Sequence, residues 1–166
     1  MTYTIKIDII ELIIYFIYKR SVNMVCTFFG HREFPLEFIP QLKQVIIKLI
    51  DDCKVDVFYV GNQGGFDFTV FKLLNDIRDE YGHIKFYIVL AYLPRKNNGY
   101  TYYDYSDTIY PEGIENVHPK FAIIKRNEWM LKRADIVVTY VEHNYGGAWQ
   151  FKILAEKKGK IVINIG

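Results

Sequence analysis

The chain has 166 residues, 51% of them hydrophobic, which predicts one globular domain with an ordinary core. Its 21 basic and 19 acidic residues are mixed along the sequence and leave a net charge of +2, so no basic face or tail indicates nucleic acid as a partner. Cys26 and Cys53 are isolated in apolar surroundings. This pattern argues against a structural zinc site and favours buried, reduced thiols in a cytoplasmic protein.

Residues 1–23 are predicted to form an N-terminal extension outside the fold, because a strand pattern that can open the domain begins at Met24. The apolar stretch at 9–18 contains Glu11 and is shorter than the roughly 20 residues that a membrane-spanning helix needs. We therefore expect no membrane partner. The alternative is an amphipathic helix that binds a membrane surface or a partner protein.

From Met24 onward, apolar runs alternate with segments of helical periodicity. The runs predict strands at 24–29, 55–60, 84–93, 135–141 and 161–165, and the periodic segments predict helices at 42–50, 70–81, 122–134 and 148–157. Continuous apolar strands alternating with helices indicate a mainly parallel sheet of about five strands, covered on both faces in a three-layer α/β sandwich. The ligand site of such a fold lies beyond the carboxyl ends of the strands.

Two glycine-bearing turns, 61–67 and 145–148, stand where a predicted strand gives way to a predicted helix. A turn without side chains lets backbone N–H groups approach an anion, and the positive end of the following helix favours negative charge. A third strand exit, at 30–33, adds cationic side chains. The candidate ligand-binding residues are Gly30, His31, Arg32, Gly61, Asn62, Gln63, Gly64, Gly65, Asp67, Arg126, Asn127, Gly146, Gly147 and Ala148.

These residues have different expected roles. Gly146 and Gly147 are candidates for phosphate contact, or alternatively for close helix–strand packing. Asp67 fits recognition of ribose hydroxyls better than phosphate because it carries negative charge, and its alternative role is a helix cap. Arg32 and Arg126 are the natural phosphate partners unless they form ordinary salt bridges.

Other residues are weaker candidates. His31 could act as a general acid or as a hydrogen-bond donor, and its spacing from His83, His118 and His143 supports no metal site. The segment 94–119 is rich in tyrosine and is expected to be a lid whose rings stack on a base or pack over the core. Trp149 could also cover a base.

A set of short motifs also occurs in a recognisable order. They are Thr27–Arg32, Gly61–Asp67, Ile109–Gly113, Lys125–Met130 and Gly146–Ala148. Together they resemble the SLOG superfamily, closest to its YpsA-like branch of small bacterial and phage proteins, and the likeness covers 24–166. The resemblance implies a Rossmann-like fold, binding of a nucleotide or a nucleotide-derived molecule, no certain cofactor, and assembly into homo-oligomers.

A more distant resemblance links Arg126 and the Gly146–Gly147 pair to LOG-type phosphoribohydrolases, which remove a base from a nucleoside monophosphate. Those enzymes carry a glutamate one turn after the double glycine, and the helix after Gly147 has no carboxylate there. We therefore expect a nucleotide-binding sensor or regulatory protein. The alternatives are an N-glycoside hydrolase with a non-standard acid, namely Glu112, Glu128 or Glu142, and a regulatory interaction protein without a ligand.

Overall fold

A computed structural model of the chain describes residues 23–93 and 103–166. The predicted N-terminal extension, apart from Asn23, lies outside the described residues, and so does the 94–102 part of the predicted lid. The described elements are the strands β1 (Met24–Gly30), β2 (Val55–Val60), β3 (Lys85–Val89), β4 (Thr108–Ile109), β5 (Ile136–Tyr140) and β6 (Ile161–Asn164), and the helices α1 (Ile39–Asp51), α2 (Gly65–Ile77), α3 (Pro119–Arg133) and α4 (Gly146–Lys157).

The six strands form one sheet in the order β4-β3-β2-β1-β5-β6, and every neighbouring pair is parallel. β1 lies at the centre, where Cys26 pairs with Phe58 of β2 on one side and with Ile136 of β5 on the other. The chain moves outward from β1 through β2 and β3, and later returns to the opposite side of β1. This reversal of strand order opens a crevice at the carboxyl ends of β1 and β5.

Each face of the sheet carries its own hydrophobic core. On one face, β1 residues such as Cys26 and Phe28 pack with Leu42 and Ile46 of α1 and with residues of α2. On the other face, Phe29 packs in a cluster with residues of α3 and α4. Because alternate residues of β1 serve opposite cores, the strand is mostly apolar, and the buried Thr27 hydroxyl donates to the carbonyl oxygen of Tyr59.

The predicted α/β fold is confirmed, with one added strand and several shifted boundaries. β3 ends at Val89 instead of residue 93, and its last bond to β4 runs from the Leu90 N–H to the carbonyl oxygen of Ile109. β4 has two residues, which is too short for a periodic signal. α3 begins at Pro119, whose fixed φ suits a first helical turn.

The structure also shows the burial of individual residues that the sequence patterns concern. The helix predicted at 42–50 is part of α1, where Leu42, Ile46, Leu49 and Ile50 are buried and Val45 is partly buried against the core. The two cysteines, Cys26 and Cys53, are both buried and free. Within the described parts of the chain, no helix combines the length and apolar character needed to cross a membrane.

Gly30 ends β1 against the ring of Phe66, a residue of α2 that is buried in the core. A Cβ at Gly30 would overlap that ring. We expect Gly30→Ala to lower the free energy of unfolding by about 2 kcal/mol, because the new methyl group would force the packed Phe66 ring out of its position. Urea denaturation measures this loss.

Gly82→Ala is the matched control, since an added Cβ there meets nothing within 4 Å. Its effect should stay within about 0.5 kcal/mol. Equal losses in the two variants would contradict the close contact at Gly30.

Candidate ligand pocket

A pocket of about 210 Å³ opens at the crevice where the strand order reverses. Nine of the predicted site residues line it, together with Phe28, Phe29, Ile123 and Met130; the nine are Gly30, His31, Arg32, Gln63, Asp67, Arg126, Asn127, Gly147 and Ala148. The remaining candidates, Gly61, Asn62, Gly64, Gly65 and Gly146, belong to the adjoining turns and do not line it. The exits of β1, β2 and β5, the first turns of α2 and α4, and the middle of α3 thus contribute to a single cavity.

Arg126 projects from α3 into the protein and is only 2% exposed. Its Nη1 donates to the carbonyl oxygen of Val89, at the end of β3, over 3.0 Å, and to Oδ1 of Asn62 over 3.4 Å. Its Nε donates to Oδ1 of Asn127 over 2.7 Å. The guanidinium therefore ties α3 to the ends of β2 and β3, and it is not exposed on the helix surface.

Asp67 lies in the first turn of α2, is 8% exposed, and accepts a hydrogen bond of 2.9 Å from the Gln63 N–H. Burial raises the pKa of this carboxyl, while Arg126 and the Gln63 N–H act in the opposite direction. A Cβ at Gly61 would overlap Oδ2 of Asp67 and lie 2.7 Å from Nη1 of Arg126. The bare Gly61 thus lets a carboxylate and a guanidinium lie close together beneath the pocket.

The turn before α2 packs against the loop that follows β1. The Gly65 N–H donates to the carbonyl oxygen of Arg32 over 2.7 Å, and a Cβ on Gly64 would stand 3.0 Å from Cα of Arg32. One backbone donor of the α2 N-terminus is therefore already used by the protein. Arg32 itself is exposed and lines the pocket.

The turn before α4 is open in comparison. Gly146 adopts φ +87°, and no side chain caps the start of the helix. Added Cβ atoms on Gly146 or Gly147 would meet nothing within 4 Å. The first backbone N–H groups of a helix lack helical partners and carry partial positive charge, so this end of α4 can accept an anion.

The start of the β5–α4 loop is held by the last strand. The Asn164 side chain accepts hydrogen bonds from Oγ1 of Thr139 (2.9 Å) and from the Val141 N–H (3.0 Å). It also donates to the carbonyl oxygen of Val141 over 3.0 Å. These bonds continue the pairing of β5 and β6 past the regular ladder and fix where the loop leaves the sheet.

His31 stands at the exit of β1, and its Nε2 accepts a hydrogen bond of 3.2 Å from the Glu142 N–H. Its ring stacks on His143 with a centroid distance of 3.7 Å, and His143 stacks on Tyr145 at 3.8 Å. Burial and His143 lower the pKa of His31, partly offset by Glu142. The spacing of the two histidines in the sequence does not indicate this stack, which forms because β1 and β5 lie side by side.

The aromatic residues that were expected to cover a base are placed differently. The Tyr103 hydroxyl accepts a 3.5 Å hydrogen bond from Asn62, and Tyr103 and Tyr110 pack against the core. Tyr105 is exposed, and Trp149 does not line the pocket. Tyr100 and Tyr102 lie outside the described residues.

The carboxylates considered as non-standard catalytic acids lie elsewhere. Glu112 and Glu128 line a second cavity, of about 440 Å³, between the 111–117 segment and the outer side of α3. Glu142 is exposed and is not part of the pocket lining. Asp67 is the one carboxylate among the described residues that line the pocket. Across 23–93 and 103–166, no cluster of His, Cys, Asp and Glu could hold a metal ion.

Comparison with known proteins identifies a structural likeness. No family model matches the sequence, and no curated protein matches it. Among solved structures, the chain is similar to the DNA processing protein A (DprA) from Streptococcus pneumoniae, with a TM-score of 0.62 and 18% identity over 86% of this chain. The match spans 50% of the DprA chain. At this identity the match shows the fold alone, and that fold is a Rossmann-like α/β fold.

The contacts of Arg126 predict a pH-dependent loss of stability in Arg126→Met. Removing the guanidinium leaves the Asp67 carboxylate buried without its cation, which should cost about 3 kcal/mol of unfolding free energy near neutral pH. The pKa of Asp67 is already raised, and it should rise further in the variant. A raised carboxyl pKa in the folded state favours folding at low pH and loses that contribution as pH rises through it. The deficit should therefore be smaller near pH 4.

Urea unfolding of the wild type and the variant at both pH values measures the difference. Lys125→Met is the control on the same helix, because Lys125 forms an exposed pair with Glu128 at 2.9 Å. Such a pair contributes about 0.5 kcal/mol or less. A deficit in Arg126→Met that does not depend on pH would contradict the coupling to Asp67.

Proposed function

We propose that the protein binds a nucleotide or a nucleotide-derived small molecule in this pocket and acts as a sensor or regulatory protein. The observation that carries the proposal is convergence: residues from the exits of β1, β2 and β5 and from α3 line one cavity. Cavities at the point where strand order reverses are the usual ligand sites of this architecture.

In this proposal, phosphate binds at the N-terminus of α4. Gly146 and Gly147 leave the backbone donors accessible, and the exposed Arg32 supplies a positive charge in the lining of the same pocket. Arg126 is a weaker phosphate partner, since it is buried beside Asp67 and its Nη1 and Nε already donate to protein oxygens. We assign Arg126 a structural role: it fixes the floor of the pocket, which is the part lined by Gln63 and Asp67.

The sugar is assigned to the floor of the pocket. Asp67 and Gln63 offer a carboxylate and an amide, groups that suit ribose hydroxyls. The Asp67 carboxylate also disfavours phosphate at this end, because like charges repel in a buried site. A nucleotide would therefore bind with its phosphate toward α4 and its sugar toward α2.

Membership of the YpsA-like branch and a cytoplasmic location form part of the same proposal. N-glycoside hydrolysis is not part of the proposal, because Glu112, Glu128 and Glu142, the acids that it would use, do not line this pocket. The name of DprA refers to DNA processing, but this chain matches only half of the DprA chain. We therefore do not include DNA processing in the proposal. A concave pocket lined by a few convergent polar groups is the usual form of a small-molecule site.

Gly147→Leu should abolish thermal stabilisation by adenosine 5′-monophosphate (AMP), because the side chain would block the approach of phosphate to the α4 N–H groups. AMP at about 100 times its Kd should raise the Tm of the wild-type protein by about 5 °C or more. Differential scanning fluorimetry with and without AMP measures the shift.

The control is Gly82→Leu, at an exposed glycine that does not line the pocket. Both variants should keep the Tm of the free protein, since a Cβ meets nothing within 4 Å at either position. A wild type that no nucleotide stabilises would refute the proposed function, and undiminished stabilisation of Gly147→Leu would refute the assigned phosphate position.

A further inference from the structure

Three aromatic rings form a continuous stack at the rim of the pocket. His31 comes from the loop after β1, whereas His143 and Tyr145 come from the loop after β5. The first two rings are 3.7 Å apart and 20° from parallel, and the second and third are 3.8 Å apart and 14° from parallel. Tyr145 is 66% exposed at the solvent end, and His31 lines the pocket at the other end.

The ring of His31 is fixed in place from several sides. Its Nε2 accepts from the Glu142 N–H, and its backbone N–H donates to the carbonyl oxygen of Tyr140 over 3.1 Å. The Tyr140 ring meets it edge-on, at 78° and a centroid distance of 6.0 Å. A ring held this way loses little further freedom when a ligand binds, which favours affinity.

The same contacts keep the ring uncharged at neutral pH. A protonated Nε2 could not accept the hydrogen bond from Glu142, and the surroundings lower the pKa of His31. The pocket end of the stack is therefore a neutral, flat, aromatic surface. Such a surface suits a planar heterocycle better than it suits a phosphate group.

One flat face of His31 is covered by His143. Within the described parts of the chain, no aromatic ring stacks on the opposite face. His31 is half-buried and lines the pocket, so a planar group in the cavity can reach its ring. Base stacking on aromatic side chains is favourable for every base, since each has a π face.

We propose that His31 is the base-binding residue, and that a nucleobase adds a fourth layer to the stack of His31, His143 and Tyr145. This inference rests on the proposed function, which assigns the sugar to the floor and the phosphate to α4. His31 lines the same pocket as Asp67 and Gly147, so a single nucleotide can contact all three residues. The ligand class is thus a nucleotide with its base, and not a bare sugar phosphate.

Two probes separate base binding from phosphate and sugar binding: AMP, and ribose 5-phosphate, which lacks the base. Isothermal titration calorimetry on the full chain should give about a tenfold tighter Kd for AMP, the size expected of one base–aromatic stack. His31→Gln keeps a hydrogen-bond acceptor for the Glu142 N–H but removes the ring. It should abolish the preference for AMP and leave the Kd of ribose 5-phosphate unchanged.

The matched variant is His31→Phe, which keeps an aromatic ring and loses the acceptor, and it should retain the preference for AMP. Phe121→Ala, which removes an exposed aromatic ring from α3, controls for nonspecific stacking and should also retain it. A preference that persists in His31→Gln, or that disappears equally in His31→Phe, would overturn the inference. If neither probe binds the wild type, the proposed function itself fails.

Discussion

The guanidinium of Arg126 connects three parts of the chain that are distant in sequence. It leaves α3, bonds to the end of β3 at Val89, and reaches the β2 exit at Asn62. A buried cation needs several acceptors and a nearby negative charge, which the two oxygens and Asp67 provide. Because the same side chain forms part of the pocket lining, the contacts that stabilise this end of the sheet also set the shape of the candidate site.

Much of the fold could be predicted because its signals are local. Continuous apolar runs locate strands that are buried on both faces, and residues such as Leu42 and Ile46 repeat with helical spacing. The glycine turns at strand exits were predicted for the same reason, since few other residues suit such backbone. The likeness to DprA supports the fold that these signals indicate. β4 could not be predicted, because two residues carry no period.

The parts of the site that could not be predicted depend on contacts between distant segments. Nothing near Arg126 in sequence shows that it is buried, because its partners come from β2 and β3. The pairing of His31 with His143 likewise requires β5 to lie beside β1, a strand order that periodicity does not specify. The sequence also did not distinguish the two glycine turns. One is packed against the Arg32 backbone, while the other is open to solvent.

The hydrogen bonds of Asn164 connect the two ends of the segment that runs from Val141 through α4 to β6. From the end of β5, the backbone runs through the loop and α4 into β6, and Asn164 then bonds back to Val141, where the loop began. A loop tethered at both ends has few alternative conformations and therefore loses little entropy when it takes up a guest. The chain that leads to the Gly146–Gly147 turn is accordingly anchored at Val141 by an edge strand that contributes no residue to the pocket lining.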